Sequence, residues 1–89
     1  MFINSKLRAA DCALKTNQFD DALNHYQYII EKNNRFTPYA LFQKAIIHHL
    51  NKNIYGAISI LQKIVQDYPS SDMVGLSLMH LGDMYIEME

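Results

Sequence analysis

The sequence predicts an all-α protein whose five helices form antiparallel hairpins stacked side by side. Three observations predict it: apolar residues recur three and four apart in five stretches, the breaks between stretches are short, and small residues return at a spacing of 35 to 37. With 89 residues, 49% apolar and 19% charged, the chain has the balance of one small globular unit and not that of a disordered segment.

The five periodic stretches are about 3–15, 19–32, 38–50, 54–67 and 73–88. The first ends at Thr16-Asn17-Gln18, the second at Asn33-Asn34-Arg35 and the third at Asn51-Lys52-Asn53, all turn and capping residue types. Thr37 before Pro38 predicts an N-cap followed by proline at the first helical position, where the missing N–H costs nothing. Pro69 cannot continue the fourth helix beyond Tyr68, and Ser71 or Asp72 can accept hydrogen bonds from the free N–H groups that open the fifth. Connections this short between helices force antiparallel neighbours.

An internal period decides between a closed bundle and an open stack. Ala22 and Ala57 lie 35 residues apart, and each is preceded twelve residues earlier by another small residue, Ala10 and Ala45. Gly82 follows Ala45 after 37 residues. Small residues at these points let two helices approach closely while Leu, Ile and Tyr fill the grooves beside them.

The segment Leu78-x-x-Leu81-Gly82-x-x-Tyr85 resembles the first-helix signature of the tetratricopeptide repeat, and Ala22, Tyr26, Ile29 and Ala57, Leu61, Ile64 resemble its second-helix signature, with Pro69 at the repeat-ending proline. Ala9, Ala13, Lys44 and His48 depart from the family pattern. The resemblance implies a short right-handed solenoid in a single domain over 1–89, with unit one at about 3–34, unit two at about 38–69 and a half unit at about 72–89, read as an excerpt of a longer protein. The spacing and the Tyr68-Pro69-Ser70 ending are also similar to repeats of bacterial cell-envelope scaffolds, whereas a single cysteine fits a reducing, cytoplasmic compartment.

Charge and composition exclude several functions. A net charge of −1 gives no reason to expect nucleic acid as a ligand, and no apolar run is long enough to insert into a membrane. All eight Lys and Arg fall between Lys6 and Lys63, and the segment from Asp67 to Glu89 carries five acids. This asymmetry reads either as two differently solvated ends or as a basis for head-to-tail contacts between copies. Cys12 has no helical histidine neighbour and reads as a small packed residue; His48 and His49 project about 100° apart, too far to chelate a metal. His25 and His80 read as solvated or hydrogen-bonded, and Gly56, Gly75 and Gly82 are scattered through helices and form no phosphate loop. No catalytic residue, metal or cofactor is expected.

The resemblance also implies a concave groove lined by the first helix of each unit: Asn4, Leu7, Asp11 and Leu14, then Tyr39, Phe42, Ile46 and His49, then Leu76, Met79, Asp83 and Ile86. One class of the family grips a carboxylate terminus there with Lys, Asn and Arg; Leu7, Asp11, Phe42 and Ile46 lack that chemistry. The expectation is a non-catalytic scaffold that holds a protein or peptide by Tyr39, Phe42 and Ile46, extended by Leu76 and Met79, with Asp11 and Asp83 at the edges. Those same side chains can equally serve as ordinary packing. The last stretch is more apolar than one neighbouring hairpin can cover, which predicts self-association through Leu78, Leu81, Met84, Tyr85 and Met88, giving a homodimer as the alternative.

Overall fold

Five amphipathic stretches separated by helix-stopping turns give five helices in the computed structural model, which describes residues 2–88. They are α1 (Phe2–Lys15), α2 (Phe19–Glu31), α3 (Thr37–Leu50), α4 (Ile54–Asp67) and α5 (Met73–Met88), with no strand among the described residues. Each helix packs against the next, and α3 also touches α5, so α1, α3 and α5 form one layer and α2 and α4 another. The resulting slab measures 41 × 29 × 16 Å. This is the stack of helical hairpins that the internal period predicts.

The two hairpin turns are built alike, 35 residues apart. Asn17 (φ 62°) and Lys52 (φ 67°) take left-handed backbone just past α1 and α3. The following N–H groups turn back on the helix: Gln18 donates to the Ala13 carbonyl and Asn53 to the His48 carbonyl, both at 2.8 Å. This double closure satisfies carbonyls that would otherwise end the helix unpaired. Asn53 then caps α4 by accepting from the Gly56 N–H at 3.2 Å. After α2 the same task passes to a side chain, since Asn34 Nδ2 donates to the Ile29 carbonyl at 2.9 Å while Asn33 holds φ 47°.

Two helix starts test the capping expectations. Ser71 opens α5 as expected, accepting from the Met73 N–H at 3.1 Å. Thr37 is a correction: it is the first helical residue, and the flanking cap position falls on Phe36. Its Oγ1 accepts from the Asn34 N–H at 2.8 Å, so the hydroxyl closes the preceding turn and does not cap the helix ahead.

Two apolar clusters fill the stack. Ala10 and Ala13 from α1, Ala22, Tyr26 and Ile29 from α2, and Ala40 and Ile47 from α3 form one. Leu41, Phe42 and Ala45 from α3, Ala57, Ile58, Leu61 and Ile64 from α4, and Leu81 and Met84 from α5 form the other. The landmarks Ala10, Ala22, Ala45 and Ala57 are all fully buried. Gly82, the third landmark, departs from the pattern: it is exposed, and a Cβ placed on it would meet nothing within 4 Å. Cys12 is likewise exposed and not packed, because the α1 face that α2 covers is the one carrying Ala10 and Ala13.

Candidate protein-interaction surface

The side on which α1, α3 and α5 lie together carries the expected groove residues. Its α1–α3 portion is tied by polar contacts: the Tyr26 hydroxyl donates a hydrogen bond to Asp11 Oδ1, and the Tyr39 hydroxyl donates to the same oxygen at 3.1 Å. Gln43 Nε2 donates to the Tyr39 oxygen at 2.9 Å. Burial, the Asp11 hydrogen bond and the Asp11 charge together push the Tyr26 phenol far above its usual range. Burial also raises Tyr39, against the opposing hydrogen bond from Gln43. Asp11 therefore joins α1, α2 and α3, and the shallow depression beside it is lined by Asp11, Leu14, Lys15, Tyr39 and Gln43. Asn4 is exposed, whereas Leu7 and Leu14 are half-buried against the first cluster.

The centre of the expected surface is closed. Phe42 is only 8% exposed, packs in the second cluster and meets the His80 ring edge-on with centroids 5.2 Å apart. The structure thus places Phe42 in the core and not on the surface as an anchor, and gives His80 an aromatic neighbour. The reason is that α5 lies directly beside α3 at this point. Ile46 is half-buried against the same cluster. His49 Nε2 lies 2.7 Å from Glu87 Oε2, joining α3 to α5 across the surface. Its neighbour His48 points elsewhere, its pKa lowered first by burial and then by the Lys44 charge.

The free apolar surface is concentrated on α5. Leu76, Met79 and Ile86, the groove positions of the third unit, are exposed, with Met79 at 57% and Ile86 at 71%, and Asp83 stands exposed between them. Leu78, Tyr85 and Met88 are exposed as well; the Tyr85 oxygen accepts from Gln62 Nε2 of α4 at 2.8 Å. Two residues expected to mediate self-association are instead core: Met84 is 1% exposed and Leu81 7%, both packed onto α4. The helical period explains the split, since Ser77, Leu81 and Met84 share the side facing α4 while Leu78 and Gly82 fall beyond it.

Sequence reasoning missed two features. Gly75 and Gly82, seven residues apart, both stand open to solvent on α5, with no atom near a prospective Cβ; the seven-residue spacing was the available signal. An open cleft of about 580 Å³ lies between the α2–α3 and α4–α5 connections, lined among others by Arg35, Tyr39, Asp67, Tyr68 and Asp72. No sequence motif marks it, because its two loops are more than thirty residues apart. Among the described residues no three His, Cys, Asp or Glu side chains gather as a metal site, and no helix is long and apolar enough to cross a membrane.

Two repeated hairpins, each with buried small residues at the same register, find their counterpart in a family model: the tetratricopeptide repeat model matches residues 5–33 and 39–71. The chain belongs to the tetratricopeptide repeat family. The two matched segments coincide with α1–α2 and α3–α4, and α5 lies beyond them. Tetratricopeptide repeats generally mediate protein–protein interaction and are typically non-catalytic scaffolds. No curated protein matches the chain.

Proposed function

We propose that this tetratricopeptide-repeat chain is a non-catalytic scaffold that holds a protein or peptide partner on the α1–α3–α5 side, chiefly through Leu76, Met79 and Ile86 of α5. The observation that carries this reading is that the corresponding positions of α3 are engaged within the chain while those of α5 are exposed. Exposed apolar side chains grouped on one helix, with Asp83 among them, suit an apolar peptide or helix with a basic residue near its centre. The anchor role expected for Phe42 passes to Met79 and Ile86, whose side chains are available without unfolding the core.

The test is a displayed library of peptides selected against the full chain, with each binder re-measured on Met79→Asp and Ile86→Asp. Binders should weaken at least about tenfold, a loss of about 1.4 kcal/mol, while helicity and melting temperature hold. Binders indifferent to both substitutions would place the partner elsewhere. Self-association is the second reading, supported by the exposure of Leu78, Tyr85 and Met88 on one helix. A concentration series by sedimentation decides it, and a monomer throughout removes it.

A further inference from the structure

Where α1 opens and α2 ends, two lysines from different parts of the chain converge on one aromatic ring. Lys6 Nζ of α1 lies 5.1 Å from the Tyr28 ring centroid, and Lys32 Nζ, just past α2, lies 5.3 Å from the same centroid. The two ammonium groups are therefore within roughly 10 Å of each other, about one Debye length in ordinary buffer. Three residues on, the Arg35 guanidinium lies 4.8 Å from the Phe36 ring centroid. A ring face attracts a cation but leaves its charge unneutralised, and like charges gathered this closely repel.

No carboxylate among the described residues answers these charges. The ion pairs there are His49–Glu87 and Lys63–Asp67, and neither includes Lys6, Lys32 or Arg35. Glu31, next to Lys32, is engaged instead by Gln27 Nε2 at 3.4 Å. Asp67 and Asp72 share the large cleft with Arg35, but neither comes within ion-pair distance of it. The cations also border space. Ile3, one turn before Lys6 on α1, joins Asn4, Asn34, Arg35 and Phe36 around an open depression of about 380 Å³.

We propose that this edge is a docking strip for an acidic segment of a partner protein. Carboxylates of that segment lie against Lys6, Lys32 and Arg35, and one of its apolar side chains enters the depression beside Ile3 and Phe36. Residues two or three apart in an extended chain are separated by about 7–10 Å, so two acids at that spacing match two ammonium groups within roughly 10 Å. A polynucleotide suits the strip less well. Asp67 and Asp72 stand beyond Arg35, and the whole chain carries a net charge of −1, so a long polyanion meets repulsion past the strip where a short acidic segment does not. The strip shares no residue with the Met79 and Ile86 surface of α5 and stands whether or not that surface binds.

The test is a fluorescein-labelled peptide alternating glutamate and leucine, titrated with the full chain and followed by anisotropy. Saturable binding that weakens as salt is raised is expected, and the same peptide with glutamine for glutamate should not bind. Lys6→Gln and Lys32→Glu should each weaken binding at least about tenfold, with helicity retained because neither side chain is part of the core. Lys52→Glu, a charge reversal in the α3–α4 turn at the opposite ends of the helices, should leave binding intact, as should Ile86→Asp. Four outcomes would overturn the inference: no saturable binding, binding indifferent to Lys6→Gln and Lys32→Glu, an equal loss on Lys52→Glu, which would reduce the effect to net charge, or displacement of the peptide by a single-stranded oligothymidylate at lower concentration than by unlabelled peptide, which would make nucleic acid the ligand. Loss of binding on Ile86→Asp alone would assign the peptide to the α5 surface, so the two proposals fail separately.

Discussion

Ser77 is fully buried, and its hydroxyl has no hydrogen-bond partner among the described residues. Its counterpart one unit earlier is Ala40, also fully buried. A buried hydroxyl without a partner loses its water hydrogen bonds and gains nothing in exchange. Ser77→Ala is therefore expected to stabilise the fold by about 1 kcal/mol, read as a higher denaturant midpoint with an unchanged slope. A lower midpoint would show that the hydroxyl finds a partner in solution. Asp11 is the opposite case. The family resemblance implies an acid at the edge of a groove, yet Asp11 accepts from two tyrosine hydroxyls on two other helices. Nothing in the local sequence around Asp11 names Tyr26 or Tyr39, which are 15 and 28 residues away.

At the scale of the elements, the sequence was most legible where a residue's effect is local. The turn residues at 16–18 and 51–53 end their helices, and Pro69 ends α4. The repeated turn geometry also exposes a weakness, because the left-handed position holds Asn17 in the first hairpin and Lys52 in the second. A lysine there brings its Cβ close to a carbonyl, whereas glycine does not. Lys52→Gly is expected to raise stability by about 0.5–1 kcal/mol, measured by thermal melting against the wild-type chain. A fall in melting temperature would mean that the lysine side chain makes compensating contacts. Thr37 shows the limit of local reading: the residue type was right for a cap, but the turn formed by residues 34–37 drew its hydroxyl backwards.

At the scale of the molecule, what separates core from surface on α5 is which side α4 covers. Met84 and Ile86 are two residues apart and both apolar, yet one is 1% exposed and the other 71%. Met84→Asp would place a charge in the second cluster and is expected to cost at least about 3 kcal/mol, enough to unfold much of a domain this small. Ile86→Asp should leave the denaturation midpoint nearly unchanged. Equal effects of the two would contradict the packing of α5 on α4. The same comparison separates Phe42, a core residue, from Met79, its counterpart 37 residues later on an open surface.

The sequence by itself determined the all-helical class, the five elements, their antiparallel pairing and the repeat family, because helical periodicity, turn chemistry and a recurring small residue are all encoded within a few tens of residues. Only the tertiary structure decided which of the apolar positions are free. Phe42, Leu81 and Met84 could not be told from Met79, Leu78 and Ile86 by residue type, since each is a large apolar side chain on a first helix. Their difference arises from whether another helix lies against that side, and this depends on how α3, α4 and α5 pack together.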